Sequence, residues 1–109
     1  MLGRFIHRPE RLRPGEAEAI ARACVTAPAY DEASALMRAG RVEELKSIKV
    51  PMTLAWAEHD SLVRNRPLPE KLLPKGVEQV VLPDCGHVPT WDDPELVARV
   101  VLAGARRTR

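Results

Sequence analysis

The hydrophobic pattern of the chain changes character twice. Over residues 1–14, Leu2, Phe5, Ile6 and Leu12 are scattered among Arg4, Arg8, Arg11 and Arg13, and Pro9 and Pro14 interrupt any period. This stretch is expected to be irregular, with no fold of its own. From residue 15 the period becomes helical: Ala17, Ile20, Ala21, Cys24 and Val25 fall on one face, and Ala27-Pro28 marks the stop. Cys24 on that stripe reads as a packed core thiol rather than a nucleophile or ligand. A second helix is expected over 31–38, with Asp31 as its cap, Ala35, Leu36 and Ala39 as a small apolar face and Gly40 as its stop. A third short piece covers 42–47 and carries Leu45. These faces are shallow, so the helices are expected to cover something larger than themselves.

At Ile48 the period shortens. Residues 50–57 are almost continuously apolar, as in a strand buried on both faces of a parallel sheet, with Trp56 in the sheet core and Pro51 tolerated at the strand's start. Glu58, His59 and Asp60 follow at its carboxyl end, the edge where open α/β sheets place their chemistry. The connection over 61–76, with Pro67, Pro69 and Pro74 and a short helix near Glu70, is long enough for a crossover. Residues 77–82 then form a second buried strand ended by Pro83. A right-handed crossover makes the two strands parallel and brings Asp60 and His87 out side by side. The last helix has a sharp start: Asp93 as N-cap, Pro94 at its first position, Glu95 in its first turn, and Leu96, Val97, Val100 and Val101 as its apolar face.

Composition adds limits. A chain of 109 residues, 45% apolar, is at most one domain or part of one. Its 17 basic and 15 acidic residues leave a net charge of +2, too little to indicate a nucleic-acid or acidic-lipid partner. The arginines gathered at both ends read as solvated termini. Cys24 and Cys85 form no C-x-x-C and suggest no disulfide framework, which fits a reducing cytoplasm. Neither a signal-like start nor an apolar run of membrane-spanning length is present, so no membrane partner is expected.

An imidazole that shuttles protons needs a partner to fix its tautomer, and an acid in the neighbouring loop provides one. Asp60 is placed to do so for His87. If strand alternation persists, Glu58 shares the side of Asp60 and His59 points away. Such a pair either serves catalysis or ties two loops together. His59, Asp60, Cys85 and His87 could also supply metal ligands from two loops, although their spacing matches no strong zinc signature, and Trp91 is expected to wall the His87 loop.

The order Ile48-Lys49-Val50-Pro51, strand, Asp60, crossover, Leu82-Pro83, Gly86-His87-Val88-Pro89 and Asp93-Pro94-Glu95 resembles the C-terminal third of α/β-hydrolase-fold enzymes. The resemblance implies that Asp60 corresponds to the triad acid and His87 to the triad base, and that residues 15–47 are similar to a helical cap. Members of the family usually carry glycine where Ala57 stands and often where Asp84 stands. They also place a nucleophile on a G-x-S-x-G elbow that precedes the acid and the histidine. No such elbow exists among these residues: Ser34, Ser47 and Ser61 lack flanking glycines, and Cys85 would lack oxyanion donors. The expected fold class is therefore α/β, a partial α/β-hydrolase fold of two parallel strands with flanking helices, without the N-terminal sheet and elbow. It divides into an irregular basic stretch (1–14), a cap-like segment (15–47), a hydrolase-like subdomain (48–105) and a basic tail (106–109). The expected function is that of a C-terminal portion of a serine hydrolase, inactive alone, with no cofactor and no metal. Its expected partner is the missing N-terminal portion or a second copy. The alternative is a non-catalytic association module that pairs through an open sheet edge.

Overall fold

The computed structural model describes residues 2–40, 45–63 and 67–107, with residue 2 as backbone alone. Its centre is a pair of strands, β1 (Thr53–Ala57) and β2 (Glu78–Leu82), which run parallel as direct neighbours from Thr53 opposite Glu78 to Ala57 opposite Leu82. β1 begins later than the apolar run does, because Pro51 has no amide hydrogen to give to a ladder. Alternation along paired strands puts Thr53, Ala55 and Ala57 on one face with Glu78, Val80 and Leu82. On that face Ala57, Leu82 and Cys85 form the buried core, and Leu96, Val97 and Val100 of a C-terminal helix pack over it. The opposite face holds Trp56. It is half-buried rather than a core residue, and its indole N–H donates to Oε1 of Gln79 at 3.0 Å. The Gln79 amide in turn closes on Leu68, accepting from its N–H and donating to its carbonyl, each at 2.8 Å. Leu68 of the crossover is thereby fastened to this face.

In chain order the helices are α1 (Glu16–Thr26), α2 (Tyr30–Ala39), α3 (Pro89–Asp92) and α4 (Pro94–Arg106). α4 starts as its sequence signals, with the Asp93 carboxylate accepting from the Leu96 N–H at 2.8 Å. Its far end is tied back to β2 by Arg107, which donates to the Glu78 carboxylate and to the Gly76 carbonyl. α3 was not foreseen: four residues are too few to show a period. α1 and α2 have close to their expected bounds, but neither contains a buried residue. Cys24 is exposed, not packed, and Val25 on the same stripe is 78% exposed. Asp31 lies in the first turn of α2 and does not cap it. The capping position is Ala29, at φ 57°. The third helical piece falls partly on residues 42–44, outside those described, as do 64–66 of the crossover and 108–109 of the basic tail; Leu45–Ser47 is a single 3₁₀ turn.

Surface area follows from these shallow faces. A compact monomer of this mass exposes about 6,000 Å², whereas this chain exposes 8755 Å². Its radius of gyration of 15.9 Å likewise exceeds the roughly 13 Å of a compact chain of this length. Among the described residues no helix is long and apolar enough to cross a membrane.

Candidate functional site

The two loops that leave the carboxyl ends of β1 and β2 remain paired beyond the strands. Glu58 N–H donates to the Leu82 carbonyl at 3.0 Å and His59 N–H to the Cys85 carbonyl at 2.8 Å. This extension of the parallel ladder brings Asp60 and His87 together, with Oδ2 of Asp60 and Nδ1 of His87 2.9 Å apart. The other carboxylate oxygen of Asp60 accepts from the N–H groups of Leu62 (2.8 Å) and Val63 (2.9 Å). The Asp60 side chain is only 7% exposed, so burial raises its pKa. The Val63 amide, the His87 hydrogen bond, the Leu62 amide and the charge on His87 outweigh that and hold it below the usual carboxylate value. An ionised Asp60 accepts only, so the bond requires a proton on His87 Nδ1 and leaves Nε2 of the neutral ring with a lone pair. The His87 side chain is 34% exposed, and the edge of Phe5 stands against it with ring centroids 6.1 Å apart.

Ser61 and Cys85 are both engaged elsewhere than at this imidazole. The Ser61 hydroxyl turns away and donates to the Arg4 carbonyl at 3.1 Å, while Ser34 lies in α2 and Ser47 in the 3₁₀ turn. Cys85 is fully buried in the core. Burial pushes its thiol pKa up, and the charges of Asp92, Asp93 and Asp84 add to this. A thiolate is therefore disfavoured there.

Glu58 departs from the expected alternation, because the chain enters a turn after Ala57. Glu58 does not share the side of Asp60. Its carboxylate accepts from the Asp84 N–H at 3.0 Å and lies 3.6 Å from His59 Nε2. His59 does point away from the pair, stacked on His7 with ring centroids 3.8 Å apart and planes 12° apart. The four ligands considered from sequence are thus not gathered: Cys85 is in the core and His59 on another side. The two positions where glycine was expected behave differently. Ala57 sits in β1 without a positive φ and packs its methyl into the core, whereas Asp84 has φ 53°, a left-handed conformation that aspartate tolerates better than most residues.

The part least visible in the sequence is the support of the His87 loop. The N-terminal arm, two 3₁₀ turns (Leu2–Arg4 and Pro9–Arg11) joined by an irregular stretch, crosses directly over Gly86. A Cβ built on Gly86 would meet the His7 nitrogen at 2.8 Å and the Phe5 oxygen at 3.0 Å, so only glycine admits the arm. The Phe5 carbonyl accepts from the Val88 N–H at 2.8 Å, and Ile6 is 2% exposed. Asp92, fully buried, accepts from the N–H groups of Gly86 (2.8 Å) and Arg8, while its own carbonyl accepts from the Arg11 guanidinium at 2.7 Å. Trp91 is half-buried and lines a recess with Arg11, Arg13 and Glu16. A separate recess of about 480 Å³ is lined by Arg4, Phe5, Cys24, Val25, Tyr30 and Leu62, and shares Phe5 with the His87 contact. Compared with known proteins, the chain matches no family model, no curated protein and no solved structure.

Proposed function

We infer that Asp60 and His87 are the acid and base of a hydrolytic site of the α/β-hydrolase kind, and that the attacking nucleophile comes from a polypeptide segment other than these 109 residues. The observation that carries this reading is the 2.9 Å bond between Asp60 and His87 Nδ1, which leaves Nε2 as the basic nitrogen of a side chain that is 34% exposed. In such a site Nε2 takes the proton of a serine as it attacks an ester or amide carbonyl, and Asp60 stabilises the imidazolium that forms. The recess beside Phe5 is suited to an apolar acyl or leaving group, since Phe5, Val25 and Leu62 wall it. Two free thiols fit a reducing, cytoplasmic setting.

The chain by itself should not turn over esters, because loss of the nucleophile alone costs roughly a million-fold in kcat. With p-nitrophenyl acetate, the purified chain and its His87→Ala variant should give the same rate, and His87-dependent turnover would show that the nucleophile lies within these residues. The pair itself is tested by long-range 15N–1H NMR of the imidazole. His87 should be the Nδ1–H tautomer at neutral pH and become a mixture in Asp60→Ala; an Nε2–H tautomer in the parent chain sinks the reading.

A second reading, a module that works by association, is favoured by the excess surface. Leu54, Trp56 and Val81 lie on the sheet face away from α4, and Val81 is 54% exposed. The two readings agree on one point, that this chain completes its fold against another segment or copy.

A further inference from the structure

Outside the Asp60–His87 pair, one cluster of ligating side chains stands out. His7, His59 and Asp84 come from three separate stretches, the N-terminal arm and the loops after β1 and β2, yet offer ligand atoms that all lie within 4.8 Å of one another. His59 Nε2 is 3.9 Å from the Asp84 carboxylate and 3.6 Å from that of Glu58. We propose that His7, His59 and Asp84 form a binding site for a zinc-type divalent cation, with Glu58 beside it and a coordination position left for water.

Two imidazoles stacked beside two carboxylates form a donor set suited to zinc rather than to magnesium or calcium, which prefer oxygen ligands. A tetrahedral zinc ion with bonds of about 2.0–2.1 Å needs its ligand atoms roughly 3.4 Å apart. The cluster must therefore contract by up to about 1.4 Å, and its three side chains are exposed and can rotate without disturbing the core. The backbones beneath them are fixed. His59 N–H bonds the Cys85 carbonyl, Asp84 N–H bonds the Glu58 carboxylate, and the His7 nitrogen rests against Gly86. Most of the ordering is thus complete before an ion arrives, which is what makes a preorganised site effective. The left-handed Asp84 turns a carboxylate toward the two rings at a position where the resemblance leads one to expect glycine, which could supply no ligand. A bound ion would pin the arm to both catalytic loops while leaving Asp60 and His87 untouched.

The test uses the untagged full chain in chelator-free buffer at about pH 7.5, since metal binding requires deprotonated ligands. Calorimetric titration with zinc chloride should show one equivalent bound in the micromolar range and a rise in Tm, with no heat from magnesium. His7→Ala and His59→Ala should each weaken zinc binding about ten-fold or more, Asp84→Asn should weaken it to a lesser degree, and His87→Ala should leave it unchanged. Circular dichroism of the variants checks that a lost site is not a lost fold, and protection of the arm from protease by zinc in the parent chain provides a second reading. Failure to bind one equivalent, binding that survives both imidazole substitutions, or binding lost in His87→Ala would overturn the assignment. None of these outcomes depends on whether the Asp60–His87 pair acts in hydrolysis.

Discussion

Asp60 accepts three hydrogen bonds, from Leu62, Val63 and His87, and this explains why its pKa lies below its unfolded value despite burial. A carboxylate with a depressed folded pKa contributes stability that is present above its unfolded pKa of about 3.9, and loses it as pH falls through the folded value. Asp60→Asn keeps the shape and removes the charge. In urea unfolding followed by tryptophan fluorescence, the parent chain should exceed Asp60→Asn in stability at about pH 5, and the margin should shrink as the pH falls below about 4. A margin that does not shrink below about pH 4 would mean that Asp60 is not held ionised by these bonds. Both partners of this pair were legible from the sequence, because a parallel crossover leaves little freedom in where two strand ends emerge. The surroundings of Glu58 were not. Alternation predicts a side chain's direction only while the strand lasts, and here it ends at Ala57.

At the level of elements, the signals that succeeded were local ones. The apolar runs located β1 and β2, and Asp93-Pro94 located the start of α4 to the residue. The N-terminal arm shows the opposite case. Nothing within residues 1–14 announces that they cross the loop after β2, since the bond from Arg8 to Asp92 joins positions far apart in sequence and leaves no period to detect. The available clues were indirect: Ile6 in a basic stretch with nothing nearby to bury it, and a glycine before His87 that no turn conformation requires, since its φ is not positive. The arm's importance can be measured. Asp92→Asn replaces an acceptor of two N–H groups, one buried and one half-buried, with a side chain that can accept only through one oxygen, and should destabilise the chain by about 1–3 kcal/mol. Gly86→Ala forces the arm away and should cost a similar amount, roughly 1–3 kcal/mol. Both act by detaching the same arm, so the double variant should lose clearly less than the sum. Additive losses in denaturant unfolding would mean that the arm does not act as one clamp.

For the molecule as a whole, the deciding quantity is area. The surplus of about 2,700 Å² over a compact monomer is larger than a standard protein–protein interface buries in total. It is contributed by particular elements: α1 and α2 without a buried residue, Leu36 at 73% and Met37 at 82% exposure, and a sheet whose two strands each keep an outer edge among the described residues. Two strands are too few for an independently stable sheet unless a face is well covered, and here α4 covers one face and the crossover only part of the other. The sequence hinted at this through shallow Ala-rich helices, but a helical pattern cannot show whether the surface it is meant to cover is present. Electrostatics do little to oppose association, since a net charge of +2 is a weak barrier at physiological salt. The purified chain should therefore elute in size-exclusion chromatography with light scattering at a mass above its 12.1 kDa, increasingly so with concentration. Val81→Lys places a charge on the sheet face away from α4, outside the Ala57–Leu82–Cys85 core, and should shift the population toward monomer without lowering the content of regular structure. A monomer that melts cooperatively at all concentrations would mean that the exposed faces are stable in water as they stand, and the case for a completing partner would be lost.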